Sequence, residues 1–181
     1  MRLVLQLFLF VSLTACSLPR VIVLNDALDS GQHNDLGVAY ERRGEMDLAE
    51  REYRKAAKLD ENWATPWFNL GNLYVGVGQW SQAEVFYRKA LAREPRSAAV
   101  MNNLAWAALQ EGRSVEALSW AQQAASLLAD SPAVLDTLAE VHMARQETAW
   151  AQRIVARALE LNPDKGVREK LEAKRQQLAE P

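Results

Sequence analysis

Three residues carry the side chains most used for proton transfer, metal ligation or nucleophilic attack: His33, His142 and Cys16. An imidazole can move protons near neutral pH or hold a metal, and a thiolate can attack or ligate. Both roles need partners at fixed spacing, and the chain does not supply them. Neither histidine has a neighbour at metal-ligand spacing, no His-Glu-x-x-His stretch occurs, and no Ser stands three residues before a Lys. A single cysteine excludes a disulfide framework and a multi-thiolate zinc site. The glycines of Gly71-Asn72-Leu73-Tyr74-Val75-Gly76-Val77-Gly78 are spaced like a phosphate loop, yet no Gly-Lys-Ser/Thr ending follows and no strand precedes. Glu41…Glu45 and Glu50-Arg51-Glu52 read as solvated helix faces. The expectation is therefore no catalytic constellation, no metal site and no cofactor.

The elements that would position any site are helical. Ala, Leu, Glu, Gln and Arg are abundant against only eight Gly and six Pro, which favours helices over strands. A chain of 181 residues suits one domain with a real core, and 49% hydrophobic residues supply it. A net charge of -2 with both signs interspersed lacks the basic face that nucleic acid needs, so no nucleic-acid partner is expected.

At the N-terminus, Met1-Arg2 is followed by an apolar run from Leu3 to Leu13. At about 1.5 Å per residue the run is too short for a bilayer core of roughly 30 Å. A positive residue, a short apolar stretch and then small residues is the layout of a secretory signal peptide, expected over residues 1–15. Leu13-Thr14-Ala15-Cys16 resembles the lipobox of bacterial lipoproteins, in which the cysteine is acylated and becomes the new N-terminus. The resemblance implies two or three acyl chains on Cys16, enough for stable membrane retention where one chain is marginal. In lipoproteins of two-membrane bacteria an Asp after that cysteine usually retains the protein at the inner membrane, so Ser17 implies outer-membrane sorting.

The most specific signal is a period of thirty-four residues, with segments beginning at Ser30, Ala64, Ala98 and Pro132. Leu36-Gly37, Leu70-Gly71, Leu104-Ala105 and Leu138-Ala139 align, followed by Tyr40, Tyr74, Ala108 and His142. Ala49, Ala83, Ala117 and Ala151 form one further column, and Ala56, Ala90, Ala124 and Ala158 another. Tyr53 and Tyr87 share a column with Ala121 and Val155. Each unit holds two apolar stripes of helical spacing, and small residues in the Gly/Ala columns let paired helices approach. Gly44, Gly78 and Gly112 suit left-handed helix ends, while Gln146 in the same column predicts a longer or strained turn. Asp47…Glu50 and Ser81…Glu84 have the capping-box pattern, and Ser131-Pro132 places a cap before a helix-starting proline. In the third unit Trp106 and Trp120 are the candidates to replace the volume missing at Ala108 and Ala121.

The run from Trp67 through Leu70-Gly71 and Tyr74 to Ala83, Tyr87, Ala90 and Pro95 resembles the tetratricopeptide repeat. The resemblance implies an all-α, right-handed α-solenoid of four helix-turn-helix units, 30–63, 64–97, 98–131 and 132–163. Residues 164–181 follow as a C-terminal capping helix, with Val167, Leu171, Lys174 and Leu178 at helical spacing. Residues 16–29 are the lipidated cysteine and a linker, whose Val21-Ile22-Val23-Leu24 is too apolar for a free tether and is expected against the first helix.

In such repeats the concave groove is lined by first helices. The corresponding positions here are Asn34, Val38, Phe68, Asn69, Asn72, Asn102, Asn103, Trp106, Leu109, Asp136, Glu140 and Met143. Side-chain amides beside aromatic anchors suit a peptide backbone or a helix of a protein partner. Taken with the lipobox, the chain resembles bacterial envelope tetratricopeptide lipoproteins, some of which assemble type IV or tight-adherence pili and their secretins. The resemblance implies a non-enzymatic adaptor, anchored by lipid in the outer membrane and facing the periplasm. The other reading it leaves open is an adaptor or regulatory subunit of an envelope peptidase, peptidoglycan hydrolase or polysaccharide export system. A catalytic lipoprotein using surface carboxylates is the disfavoured third. Oligomeric state is not specified by the sequence.

Overall fold

Apolar residues recurring at helical spacing give each segment one face to bury, and the chain satisfies them by stacking hairpins. A computed structural model describes residues 26–179, and among them nine α-helices follow one another. They are α1 (Ser30–Arg42), α2 (Met46–Leu59), α3 (Ala64–Gly76), α4 (Trp80–Arg93), α5 (Ala98–Gln110), α6 (Ser114–Leu127), α7 (Pro132–Ala144), α8 (Thr148–Glu160) and α9 (Lys165–Gln177). Pairs α1/α2, α3/α4, α5/α6 and α7/α8 pack most extensively, each second helix then packs on the next first helix, and α9 closes the row against α8 and α7. The fold is all-α, with tandem helix pairs and a terminal helix. The expected signal peptide, Cys16 and the apolar Val21–Leu24 segment lie outside the described residues.

One hairpin turn recurs four times. Gly44 N–H donates to Glu41 O and Glu45 N–H to Tyr40 O, both at 2.9 Å, the double bond of a Schellman ending. The same pair recurs at Gly78/Gln79, Gly112/Arg113 and Gln146/Glu147. Each turn needs a left-handed residue, and φ is 76°, 73°, 73° and 60° at Gly44, Gly78, Gly112 and Gln146. The fourth turn is thus not longer; it holds a side chain where the others hold none. The residue that completes each turn is also the N-cap of the next helix, so α2 and α4 start at Met46 and Trp80. Asp47 and Ser81 fall inside the first turn, and the capping boxes expected from them do not form. The capping box that does form is Asp29 with Gln32, at the head of α1. Ser131 is the N-cap before Pro132, without a side-chain cap bond.

The core follows the small-residue columns. Tyr53 and Tyr87 are fully buried, each with its ring against the glycine of the preceding helix, Gly37 and Gly71. Trp120 packs against the clusters around Ala121, Leu104 and Met101 and so supplies the third unit's missing volume. Trp106 is half-buried on the first-helix side instead. Leu171 of α9 is fully buried among Leu135, Ala139, Val155 and Ala158, closing the last apolar face. Asp164 starts α9 by accepting from Val167 N–H at 3.0 Å.

Candidate protein-binding face

The first helices α1, α3, α5 and α7 position the candidate residues, and amides link them across repeats. Asn69 Nδ2 donates to Asn34 Oδ1 at 2.9 Å, joining α3 to α1. Asn103 Nδ2 donates to Asn72 Oδ1 at 2.9 Å, joining α5 to α3, and Tyr87 O–H donates to the same oxygen at 2.8 Å. Burial holds the Tyr87 hydroxyl well above its usual range, outweighing the opposite pull of Asn103, so it stays a neutral donor. Asn102 Oδ1 is buried and has no hydrogen-bond partner among the described residues. Phe68 tilts over the Tyr87 ring, with centroids 5.9 Å apart.

Further along, Asn102, Trp106, Asp136 and Glu140 line one hollow of 310 Å³ together with Lys170 and Lys174 from α9. Lys174 Nζ donates to Asp136 Oδ1 at 2.6 Å and sits 2.9 Å from Glu140 Oε2. Burial opposes its charge, but the two carboxylates outweigh burial and raise the ammonium above its usual range. The groove therefore ends in a paired cation rather than free acids. Val38 and Leu109 pack against core clusters, and Met143 is half-buried. None of the twelve positions is fully exposed.

The acidic clusters are only partly solvated, and three of their carboxylates bind a Tyr or His. Glu52 is 2% exposed and lies 2.7 Å from His33 Nδ1, itself 1% exposed. Tyr53 O–H donates to Glu41 at 2.5 Å and Tyr74 O–H to Glu50 at 2.9 Å. Burial pushes Glu52 up, but bonds from His33, Arg51 and Lys55 more than offset it, leaving the carboxyl below its ordinary value. His33 with Glu52, Tyr53 with Glu41 and Tyr74 with Glu50 meet across helices, so spacing along the chain could not show them. For Lys174 a signal existed: a cation standing in the apolar stripe of Val167, Leu171 and Leu178 implies a buried partner.

A His–carboxylate pair can orient a base, but His33 is sealed and no nucleophile is bonded to it among the described residues; the pair staples α1 to α2. His142 pairs with Glu147 at 2.6 Å and stacks on Trp150. Among the described residues no group of three or more His, Cys, Asp or Glu is placed to hold a metal ion. No described helix is long and apolar enough to cross a membrane.

The tetratricopeptide repeat family matches residues 33–62 and 68–132, together more than half of the chain. The chain is a tetratricopeptide repeat protein. This repeat protein is 29% identical over 129 residues to the type IV pilus assembly protein PilF of Pseudomonas aeruginosa, covering 70% of this chain and 51% of PilF. Human tetratricopeptide repeat protein 6 is 35% identical over 69 residues, 38% of this chain and 13% of that one. The chain thus spans about half, or much less, of the length of these relatives. The solved Pseudomonas aeruginosa PilF structure superposes with a TM-score of 0.73 at 25% identity, over 82% of this chain and 67% of PilF. A crystal structure of MamA matches with a TM-score of 0.68 at 20% identity, over 82% and 85%, which speaks to the shared fold.

Proposed function

We propose that this tetratricopeptide protein is a non-enzymatic scaffold of the bacterial envelope, tethered by acylated Cys16 and sorted to the outer membrane. Its first-helix face holds a polypeptide of an apparatus under assembly, with type IV pilus or secretin biogenesis the most concrete case. The observation that carries this reading is the likeness to PilF across 129 residues, in sequence as well as in fold. The face itself supports it. Four of its amides, Asn34, Asn69, Asn72 and Asn103, are fixed in pairs, so they cost little to order when a peptide backbone arrives, and Phe68 and Trp106 offer aromatic anchors. The lipobox-like Leu13-Thr14-Ala15-Cys16 supplies the tether.

The test is genetic and biochemical together. Deleting the gene should deplete secretin multimers in the outer membrane and leave monomers; unchanged multimers would remove the pilus reading. Cys16→Ser should release the protein from membranes, and retention would remove the lipid anchor.

A further inference from the structure

The second helices of the first two repeats carry Arg54, Lys58, Lys89 and Arg93 in their C-terminal halves, whereas α6 carries no Lys or Arg at all. Those four cations surround a pocket of 450 Å³ between α2, α3 and α4, floored by Trp67 and bounded by Glu61. Lys89 Nζ stands 4.7 Å and the Arg93 guanidinium 5.0 Å from the Trp67 ring centroid, so the indole holds both charges in place. Arg93 Nε also donates to the Glu61 carbonyl at 2.5 Å. Arg54 pairs with Glu50, and the neighbouring Arg88 with Glu84 and Glu116, but Lys58, Lys89 and Arg93 have no ion-pair partner among the described residues. Four cations line this hollow against the single carboxylate of Glu61, and three of them make no ion pair among the described residues, so on a chain whose net charge is -2 it is a local cationic excess suited to an anion.

Position identifies the anion. Trp67 and Asn69 are two residues apart on α3 and so point to nearly opposite sides, which puts this pocket behind the amide row. Asp26, where the described chain begins, lies 2.7 Å from Lys55 Nζ, and Lys55 is one helical turn before Lys58. The chain thus enters the fold beside the pocket. Cys16 is ten residues earlier, and a fully extended chain of that length reaches at most about 35 Å. A membrane anchor at Cys16 therefore keeps this face within reach of the bilayer surface.

We propose that the Lys58–Lys89–Arg93 pocket docks on anionic phospholipid headgroups of the membrane that holds the N-terminus. The repeats then lie with their backs to the bilayer and the first-helix face turned toward the periplasm. This orientation rests on the reading of Cys16 as the anchored residue. A basic patch is the kind of second signal that strengthens an acyl anchor, each cation contributing about fivefold in affinity near an anionic surface.

Flotation of residues 26–181, which contain every described helix, tests the site without the anchor. The probes are vesicles of mixed phosphatidylglycerol and phosphatidylcholine, and of phosphatidylcholine alone. Binding should require the anionic lipid and weaken with salt. Lys58→Glu, Lys89→Glu, Arg93→Glu together should reduce it by on the order of a hundredfold while the circular dichroism is unchanged. Arg153→Glu with Arg157→Glu on α8 should retain most of it. Equal binding to both vesicles, or an unaffected triple variant, would overturn the proposal. So would loss of poly-glutamate binding in the triple variant with no vesicle binding by the parent, which would give the pocket to an acidic polypeptide. Failure here is separate from failure of the anchor, which Cys16→Ser reads on the full chain.

Discussion

A Cβ on Gly37 would stand 2.6 Å from the ring of Tyr53, so the tyrosine rests directly on the glycine's backbone. Gly71 and Tyr87 repeat this contact in the second unit. In the same columns Ala105 shares a cluster with Ala121, and Ala139 with Val155. A large residue in one column thus accompanies the smallest in the other, and a small residue accompanies alanine.

Gly71→Ala should therefore destabilise the fold by about 1–3 kcal/mol, despite alanine's better helix propensity, because the ring has nowhere to move. Adding Tyr87→Val imitates the Ala139/Val155 pair. In a double-mutant cycle by urea unfolding, the double variant should be less destabilised than the sum of the singles by about 1 kcal/mol or more. Strict additivity would mean the columns are not packed as described.

Gln146 has φ 60° in the turn where the three equivalent residues are glycines. A side chain in the left-handed region costs roughly 1–2 kcal/mol. Gln146→Gly should raise the stability by about 1 kcal/mol, or 2–4 °C in Tm for a domain of this size. A lower Tm would show that the Gln146 side chain contributes more than its backbone costs.

The buried His33–Glu52 pair sets an acid limit. Glu52 titrates below its ordinary value of 4.5 in the folded chain, so its contribution is fully present above that value. It is lost as pH falls through the folded value. Glu52→Gln should cost about 1–3 kcal/mol at neutral pH, and the gap to the parent should close below pH 4.5. A gap independent of pH would deny the carboxylate this role.

How much of this was legible in the chain follows from what a repeat reveals. Thirty-four-residue columns compare like with like, so they expose the helices, the Gly44-type turns and the Gly/Tyr packing. Polar pairs made in one repeat and not in the others leave no such column, which is why Glu41, Glu50 and Glu52 read as solvent-facing although each binds a Tyr or His. Cap positions failed for a related reason. The Schellman turn ends in the same residue that begins the next helix, which moves the start ahead of Asp47 and Ser81. Asp136 and Glu140 were legible as first-helix residues, but not as Lys174's partners, because α9 lies outside the repeat register.

Lys174 is 13% exposed and bridges α9 to Asp136 and Glu140 of α7. Lys174→Ala should cost about 1–3 kcal/mol and loosen α9, read as faster amide hydrogen exchange there. Because its ammonium is held above the ordinary 10.5, the bridge persists through neutral pH and fades only as pH rises beyond that value. Unchanged exchange in α9 would show that Leu171 alone seats the helix.

The central claim is that the first-helix face, and not the back, receives a polypeptide. A photo-crosslinking residue placed at Trp106 in living cells, with one at Val85 on α4 as the counterpart, reads this directly. Trp106 should yield a discrete adduct with a single envelope protein, diminished by Phe68→Ala, while Val85 yields none. No adduct at Trp106, or the same adduct from both positions, would contradict the account.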